Sequence, residues 1–175
     1  MTMKKSQYVN AVISNVRTNG RHITSVVDPE GADPSYFYSV GNSLNSTPPV
    51  ELICFYYSSF GAILLDEVAS WIGEDQRRVD DVLNNGISYV HGFLGEDESV
   101  PIVVKHLAGL TATVVYEKYA MGLRSPIFAD VVRDHDLLQI ILPDREGLFP
   151  GQHKCNENVN RMVPEFLHLR SNEDV

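Results

Sequence analysis

The stretch LLQIILPDREGLFPGQHKC, residues 137–155, decides the fold class of this chain. Its first residues are almost all apolar, which is typical of a central strand buried on both faces. Pro143 lacks a backbone donor and ends the strand, and the next glycine supplies a turn. Asp144 and Arg145 lie between them, and Phe149 can fold back onto the core. The segment predicts a core strand followed by a turn. Asp144 and Arg145 either stabilise this turn or line the rim of a binding site.

Strands and helices are predicted on both sides of this stretch, but they do not alternate strictly. Continuous or alternating apolar runs indicate strands, and apolar residues three or four positions apart indicate helices. The strands are predicted at 22–27, 36–41, 50–57, 87–94, 100–107 and 137–144, and the helices at 4–19, 58–75, 75–86 and 110–123. We expect an α+β domain with a central mixed or antiparallel sheet of five to six strands and three to four helices packed on it.

The predicted domain spans residues 1–152, and residues 153–175 form a C-terminal tail. An apolar cluster in the tail predicts that it docks on the body of the domain or on a partner, and we expect its last five residues to fray. The cluster consists of Val163, Phe166, Leu167 and Leu169.

Composition and charge argue against several classes of protein. Hydrophobic residues make up 43% of the 175, and the formal net charge is -9. Nucleic-acid binding depends on neutralising phosphates with Lys and Arg, so the acidic balance disfavours it, although a few local cations could still hold a small anion. No apolar stretch approaches the roughly 18 residues of a membrane span, and the first ten residues lack the apolar region of a secretory signal. We expect a soluble cytoplasmic protein that binds neither nucleic acid nor membrane.

Metal and cofactor signatures are missing from the sequence. The six histidines form no HExxH pair, and Cys54 and Cys155 are far apart. No GxGxxG or phosphate-loop fingerprint occurs. His91 and His106 lie on adjacent predicted strands and could meet across a sheet, but random placement explains them as well. We expect no metal site and no cofactor.

An opening motif in two parts and a closing motif carry a family resemblance. The chain has YSVG at 38–41, VEL at 50–52 and LLQIILPDREGLFP at 137–150. In this order and spacing they resemble the bacterial and phage family called domain of unknown function 4262, over roughly residues 5–152. The family name assigns no reaction, so the resemblance implies a fold unit and candidate positions. The occurrence of the family in phages prompts the hypothesis that such a protein sequesters a host signal.

Most candidate ligand-binding residues lie at predicted strand ends, where sites are common, while Tyr119 lies on the predicted helix over 110–123 and Arg124 just past it. Arg145 presents a forked donor to a carboxylate or phosphate, and Asp144 could orient it or simply brace the turn. The Tyr-Ser-Val-Gly bend offers hydroxyls and a close backbone approach, and aromatic rings could stack on a planar ligand. The predicted ligand-binding residues are Tyr38, Ser39, Gly41, Tyr119, Arg124, Arg145 and Phe149.

Three functions compete. The first is binding of a small planar anionic ligand, of the nucleotide-like kind, in a cleft between the two motif loops. The second is a hydrolase with Asp144 or Glu51 as general base and Arg145 as charge stabiliser. The third is an interaction module, in which the apolar tail cluster and the aromatic segment CFYY at 54–57 form a homodimer or cap a partner.

Overall fold

The computed structural model describes residues 5–28, 30, 34–95 and 99–169. The predicted fraying of the last five residues lies outside this part of the chain. Within it the helices are α1 (Lys5–Asn19), α2 (Phe60–Glu74), α3 (Gln76–Asn85), α4 (Gly109–Lys118) and α5 (Glu157–Met162). The strands are β1 (His22–Val26), β2 (Tyr36–Val40), β3 (Val50–Phe55), β4 (Ile87–Val90), β5 (Ile102–Leu107) and β6 (Asp136–Ile141).

The strands form one mixed sheet in the order β1-β2-β3-β6-β5-β4. The central neighbours β3 and β6 run parallel, while the other neighbouring pairs are antiparallel. All six residues of β3 are buried, as expected for a strand covered on both faces. The α+β class, the mixed sheet and its six strands are as predicted.

Helices cover both faces of the sheet. On one face, α2 and α3 pack over Leu52 and Leu138. On the other, α1 and α4 pack over Ile53 and Leu137. Side chains alternate between faces along a strand, so β3 and β6 supply apolar residues to both layers. The sheet is therefore the middle layer of a sandwich, and only its ends and edges reach solvent.

Several predicted boundaries were wrong in detail. The predicted helix over 110–123 ends at Lys118 and continues as 3-10 turns, because Tyr119 and the residues after it leave the helical conformation. The predicted strand over 87–94 ends at Val90. In α2 the structure buries Leu64 and Leu65 and leaves Ile63 56% exposed.

The parallel pair gives the sheet two distinct ends. We call the end where β3 and β6 finish the carboxyl end, and the end where they start the amino end. Because β2 is antiparallel to β3, β2 finishes at the amino end. No helix in the described ranges is long and apolar enough to cross a membrane.

The C-terminal segment after α5 lies against the domain. Val163 and Leu167 are buried in the same core cluster as Leu137, and Leu169 is buried beside Phe149. The backbone N–H of Leu169 donates to the carbonyl of Pro150 at 2.9 Å. Phe166 differs from the rest of the predicted tail cluster, because it stays 44% exposed.

Candidate functional site

A groove opens beyond the carboxyl ends of β3 and β6. It has a volume of about 710 Å³ and lies between the residues after β3, the turn after β6 and helix α5. Ligands of open α/β sheets commonly bind beyond the carboxyl ends of parallel strands, so the position itself favours a site. The polar and aromatic residues that line this carboxyl-end groove are Tyr56, Tyr57, Asp144, Arg145, Glu146, Lys154, Asn156 and Asn158.

Asp144 braces the turn that forms one wall of the groove. Its Oδ1 accepts hydrogen bonds from the backbone N–H groups of Glu146 and Leu148, each at 2.9 Å, and its Oδ2 accepts one from Asn156 at 2.8 Å. Partial desolvation opposes ionisation, but these backbone donors outweigh it and hold the pKa of Asp144 below its ordinary value. Gly147 completes the turn with φ of 82°. The carboxylate is thus committed to its own loop.

Arg145 and Lys154 bring positive charge to the groove. Both side chains are exposed, and neither forms an ion pair or side-chain hydrogen bond with a described residue. Arg145 does not pair with Asp144, because the oxygens of that carboxylate face the backbone. Glu146 also lines the groove, so its wall carries both signs of charge. The two cations remain available to an anion.

Lys154 also holds an unusual backbone conformation. Its φ is 70°, in the left-handed region that a non-glycine residue seldom adopts. Such residues cost on the order of 1–3 kcal/mol and cluster at functional sites. The following residues fix it, because the N–H of Cys155 donates to Gln152 and that of Asn156 donates to Asp144. The strained position presents Lys154 at the groove.

An aromatic pair forms the opposite wall. The rings of Tyr56 and Tyr57 lie 4.6 Å apart at 34°, and Tyr57 is 68% exposed. Burial, with the neighbouring Tyr57 hydroxyl, raises the pKa of Tyr56 to about 12. Its hydroxyl therefore stays protonated at neutral pH and can donate a hydrogen bond. An exposed ring beside free cations can accept a stacked planar group.

A second polar cluster surrounds Glu51 at the amino end. The Ser39 hydroxyl donates to Oε2 of Glu51 at 2.5 Å. The backbone N–H groups of Gly41, Asn42 and Ser43 donate to the same carboxylate at 2.9, 3.2 and 3.0 Å. Successive backbone N–H groups of this kind form an anion-binding nest. In this chain the nest is filled by its own carboxylate.

Glu51 is not placed to act on a bound molecule. Its side chain is fully buried, and both oxygens accept hydrogen bonds. Burial raises the pKa of its carboxyl, and the hydrogen bonds from Ser39 and Ser43 offset part of that rise. Gly41 fits tightly here, with φ of 90° and space that a Cβ could occupy only by colliding with Val16. The cluster closes the amino end of the sheet.

Comparison with known proteins identifies the family. The sequence profile of the family described as domain of unknown function (DUF4262) matches residues 15–156, which is most of the chain. This protein is a member of the DUF4262 family. The resemblance inferred from the two motifs is thereby confirmed. No curated protein and no solved structure shows significant similarity to the chain.

The two motifs of this DUF4262 protein lie at opposite ends of the sheet. The YSVG bend at 38–41 is at the amino end, and the turn at 143–150 is at the carboxyl end. At about 3.3 Å per residue, the six residues of β3 separate the ends by roughly 17 Å. The expectation that both loops frame one cleft is therefore wrong. The end of the sheet at which the YSVG bend lies depends on whether β2 runs parallel or antiparallel to β3. The residues of the two motifs do not indicate that direction.

The predicted ligand-binding residues are distributed over both ends. Arg145 lines the carboxyl-end groove, whereas Tyr38 is buried in the middle of β2, and Ser39 and Gly41 are buried towards the amino end. The rings of Tyr119 and Phe149 pack in the protein rather than line the groove. Tyr119 meets Tyr36 and Phe55 edge to face, and Phe149 is 4% exposed and meets Tyr89. Arg124 lies over the ring of Tyr116, next to a separate hollow.

The histidine pair suggested by adjacent strands does not form. In the antiparallel register Ile87 faces Lys105 and Val90 faces Ile102. His91 therefore follows one end of the strand pair, while His106 lies at the other. His106 instead meets Asp136, with 3.1 Å between Nε2 and Oδ1.

Tyr56, Tyr57 and Lys154 were not predicted as site residues. Tyr56 and Tyr57 directly follow an apolar strand, and polar or aromatic residues at a strand end can indicate a site. The predicted strand over 50–57 included both residues, so this indication was missed. Lys154 enters the groove because Asp144 binds the backbone N–H of Asn156, a contact between segments twelve residues apart. The sequence contains no local sign of that contact.

Proposed function

We propose that this DUF4262 protein binds a small planar anionic molecule, of the nucleotide-like kind, in the carboxyl-end groove. Arg145 and Lys154 would hold the anionic group, and Tyr57 would stack on the planar part. The observation that supports this is the placement of two cations, which form no ion pair with a described carboxylate, in the same groove as the exposed ring of Tyr57. Proteins with an overall charge of -9 repel anions at long range, so local cations of this kind are needed to bind one.

A hydrolase reaction has less support in the same geometry. The oxygens of Asp144 are engaged by backbone N–H groups, and Glu51 is buried at the other end of the sheet. A general base must reach the proton it removes. We therefore favour binding without turnover, which would suit a protein that sequesters its ligand.

The test is calorimetric titration with adenosine monophosphate, using adenosine as the uncharged probe. We expect adenosine monophosphate to bind and adenosine to bind at least about tenfold more weakly, because charged hydrogen bonds contribute about 1.5–3 kcal/mol. Arg145→Gln and Lys154→Asn should each weaken nucleotide binding about tenfold by the same reasoning. Asn is chosen for position 154 because it tolerates the left-handed backbone.

Arg17→Gln is the matched control, since Arg17 is an exposed cation on α1 that does not line the groove. Its nucleotide affinity should equal that of the wild type. No heat with adenosine mono-, di- or cyclic phosphates would contradict the proposal. So would an unchanged number of nucleotide sites per chain in the double variant that combines Arg145→Gln with Lys154→Asn. Chromatography after incubation separates the alternatives: consumed nucleotide, with loss of turnover in folded Asp144→Asn, would favour the hydrolase.

A further inference from the structure

A second basic hollow lies at the amino end, away from the carboxyl-end groove. It has a volume of about 540 Å³ and lies between the segments 123–126 and 132–135. Arg124, Arg133 and His135 line it, together with Asp134. The excess of positive groups is notable in a chain with 14 basic and 23 acidic residues. The function proposed above does not use these residues.

Arg124 is held in place without an acidic partner. Its guanidinium carbon lies 3.8 Å from the centre of the Tyr116 ring, and Tyr116 is 3% exposed. Stacking on an aromatic face orients a guanidinium while its N–H donors remain free at the edge. No described carboxylate forms an ion pair with it. Arg124 is therefore an oriented cation that interacts with Tyr116 and has no carboxylate partner among the described residues.

Arg133 extends from a fixed piece of backbone. Its N–H donates to the Ser43 hydroxyl at 3.1 Å, and its carbonyl accepts from Nδ1 of His135 at 2.7 Å. Ser43 is itself tied to Glu51 through its backbone N–H. The side chain of Arg133 is exposed and makes no ion pair or hydrogen bond within the described ranges. The floor of the hollow is thus rigid, while the cation above it is free.

His135 lies at the base of the hollow and acts as a support rather than as a donor to an anion. Its Nδ1 donates to the carbonyl of Arg133, and its Nε2 is buried, without solvent contact and without a hydrogen-bond partner among described residues. A nitrogen that solvent cannot reach does not contact an anion in the hollow, so the anion would be held by the arginine side chains. The ring is also fixed edge to face against Tyr116, with 5.6 Å between centroids.

The backbone nest next to this hollow cannot serve as the anion site. Glu51 already occupies the N–H groups of Gly41, Asn42 and Ser43. An external anion would have to be held by side chains, and the forked donors of two arginines match the oxygens of a phosphate group. Asp134 reduces the local charge, so the hollow suits one small anion rather than a polyphosphate.

We infer that this amino-end hollow binds a single phosphate group, held by Arg124 and Arg133 above the imidazole of His135. The site is independent of the carboxyl-end groove. Either site can fail its test while the other stands, because they share no lining residue.

The experiment is a titration of ¹⁵N-labelled protein with inorganic phosphate at constant ionic strength, followed by amide and imidazole NMR signals. We expect saturable shifts at Ser43, Arg133 and His135. Arg124→Gln and Arg133→Gln should each raise the dissociation constant about tenfold, since each removes a charge-assisted contact. Arg161→Gln, which removes an exposed cation that does not line the hollow, should leave it unchanged.

Three results would overturn the inference. Shifts that grow linearly with phosphate would show that no site exists. Saturable shifts that persist in both arginine variants, or that map to Arg145 and Lys154 without any shift at Ser43, Arg133 and His135, would place the phosphate elsewhere. Acetate binding as tightly as phosphate would show a general anion site instead of a phosphate site. Thermal unfolding of each variant confirms that it is folded before titration.

Discussion

At the scale of single residues, Glu51 shows how a charged side chain can serve structure. The carboxylate is fully buried, and every hydrogen bond it makes comes from a donor on Ser39 or on residues 41–43. Without it these N–H groups would be buried and unpaired, which costs about 1–3 kcal/mol for each orphaned group. Glu51 therefore joins the start of β3 to the end of β2.

Glu51→Gln tests this role. In this variant the amide nitrogen would take the place of Oε2. The Ser39 hydroxyl can rotate so that its oxygen accepts a hydrogen bond from this nitrogen, but the backbone N–H of Asn42 is only a donor and loses its acceptor. One orphaned N–H predicts a loss of about 1–3 kcal/mol in the free energy of unfolding. Urea denaturation at pH 7 measures it. Glu67→Gln, on an exposed position of α2, should change stability by no more than about 0.5 kcal/mol. Equal stability of the two variants would contradict the role.

At the scale of elements, the turn after β6 links the strand to the segment that carries Lys154. Asp144 makes that link, because it binds N–H groups on both sides of the turn and that of Asn156. Its pKa is lowered in the folded state, so its contribution to stability is present above the ordinary Asp pKa of about 3.9 and is lost as pH falls through the folded value.

Asp144→Asn should accordingly destabilise the protein in a pH-dependent way. The Asn Oδ1 can still accept from Glu146 and Leu148, but the contact to Asn156 is lost. We expect a loss of about 1 kcal/mol at pH 7, since the turn is partly solvated. The difference from the wild type should shrink by pH 3. Urea denaturation at both pH values measures this, with exposed Asp130→Asn as control. A gap that does not narrow on acidification would contradict it.

At the scale of the whole molecule, the apolar surface predicted to form a homodimer is largely used within one chain. Val163, Leu167 and Leu169 are buried on the body, and Cys54 is buried in β3. Tyr57 and Phe166 remain exposed, at 68% and 44%. The homodimer stays a prediction, and Phe166 is the tail residue that could still contribute to it.

Light scattering tests the homodimer. A dimer that depends on the tail would show twice the chain mass of 19.6 kDa. Phe166→Ser should return it to the monomer mass, because it removes the exposed ring from the interface. Leu110→Ser removes an apolar side chain that is 79% exposed on α4 and should keep the dimer. A wild-type mass of 19.6 kDa would show that the chain does not dimerise.

Much of the fold follows from the sequence because strand and helix periods are local properties. The apolar runs around Leu52 and Leu138 predicted two strands that the sheet contains, and the predicted helix over 75–86 matches α3, which is capped by Gly86 with a φ of 76° and an N–H that donates to Val82. Asp144 was recognised as a residue that could brace its turn, since an Asp after a strand accepts N–H groups nearby in the chain.

Strand direction and long-range contacts were decided by the tertiary structure. Placing the YSVG bend at the amino end depends on the antiparallel register of β2 with β3, and placing Arg145 at the opposite end depends on the parallel register of β3 with β6. Lys154 and Tyr57 meet at one groove only because those registers and the contact between Asp144 and Asn156 exist together. The sequence alone determined which segments are strands, helices and turns, because those depend on neighbouring residues. Which side chains share a site was determined by pairing between distant segments, which packing of the whole chain selects.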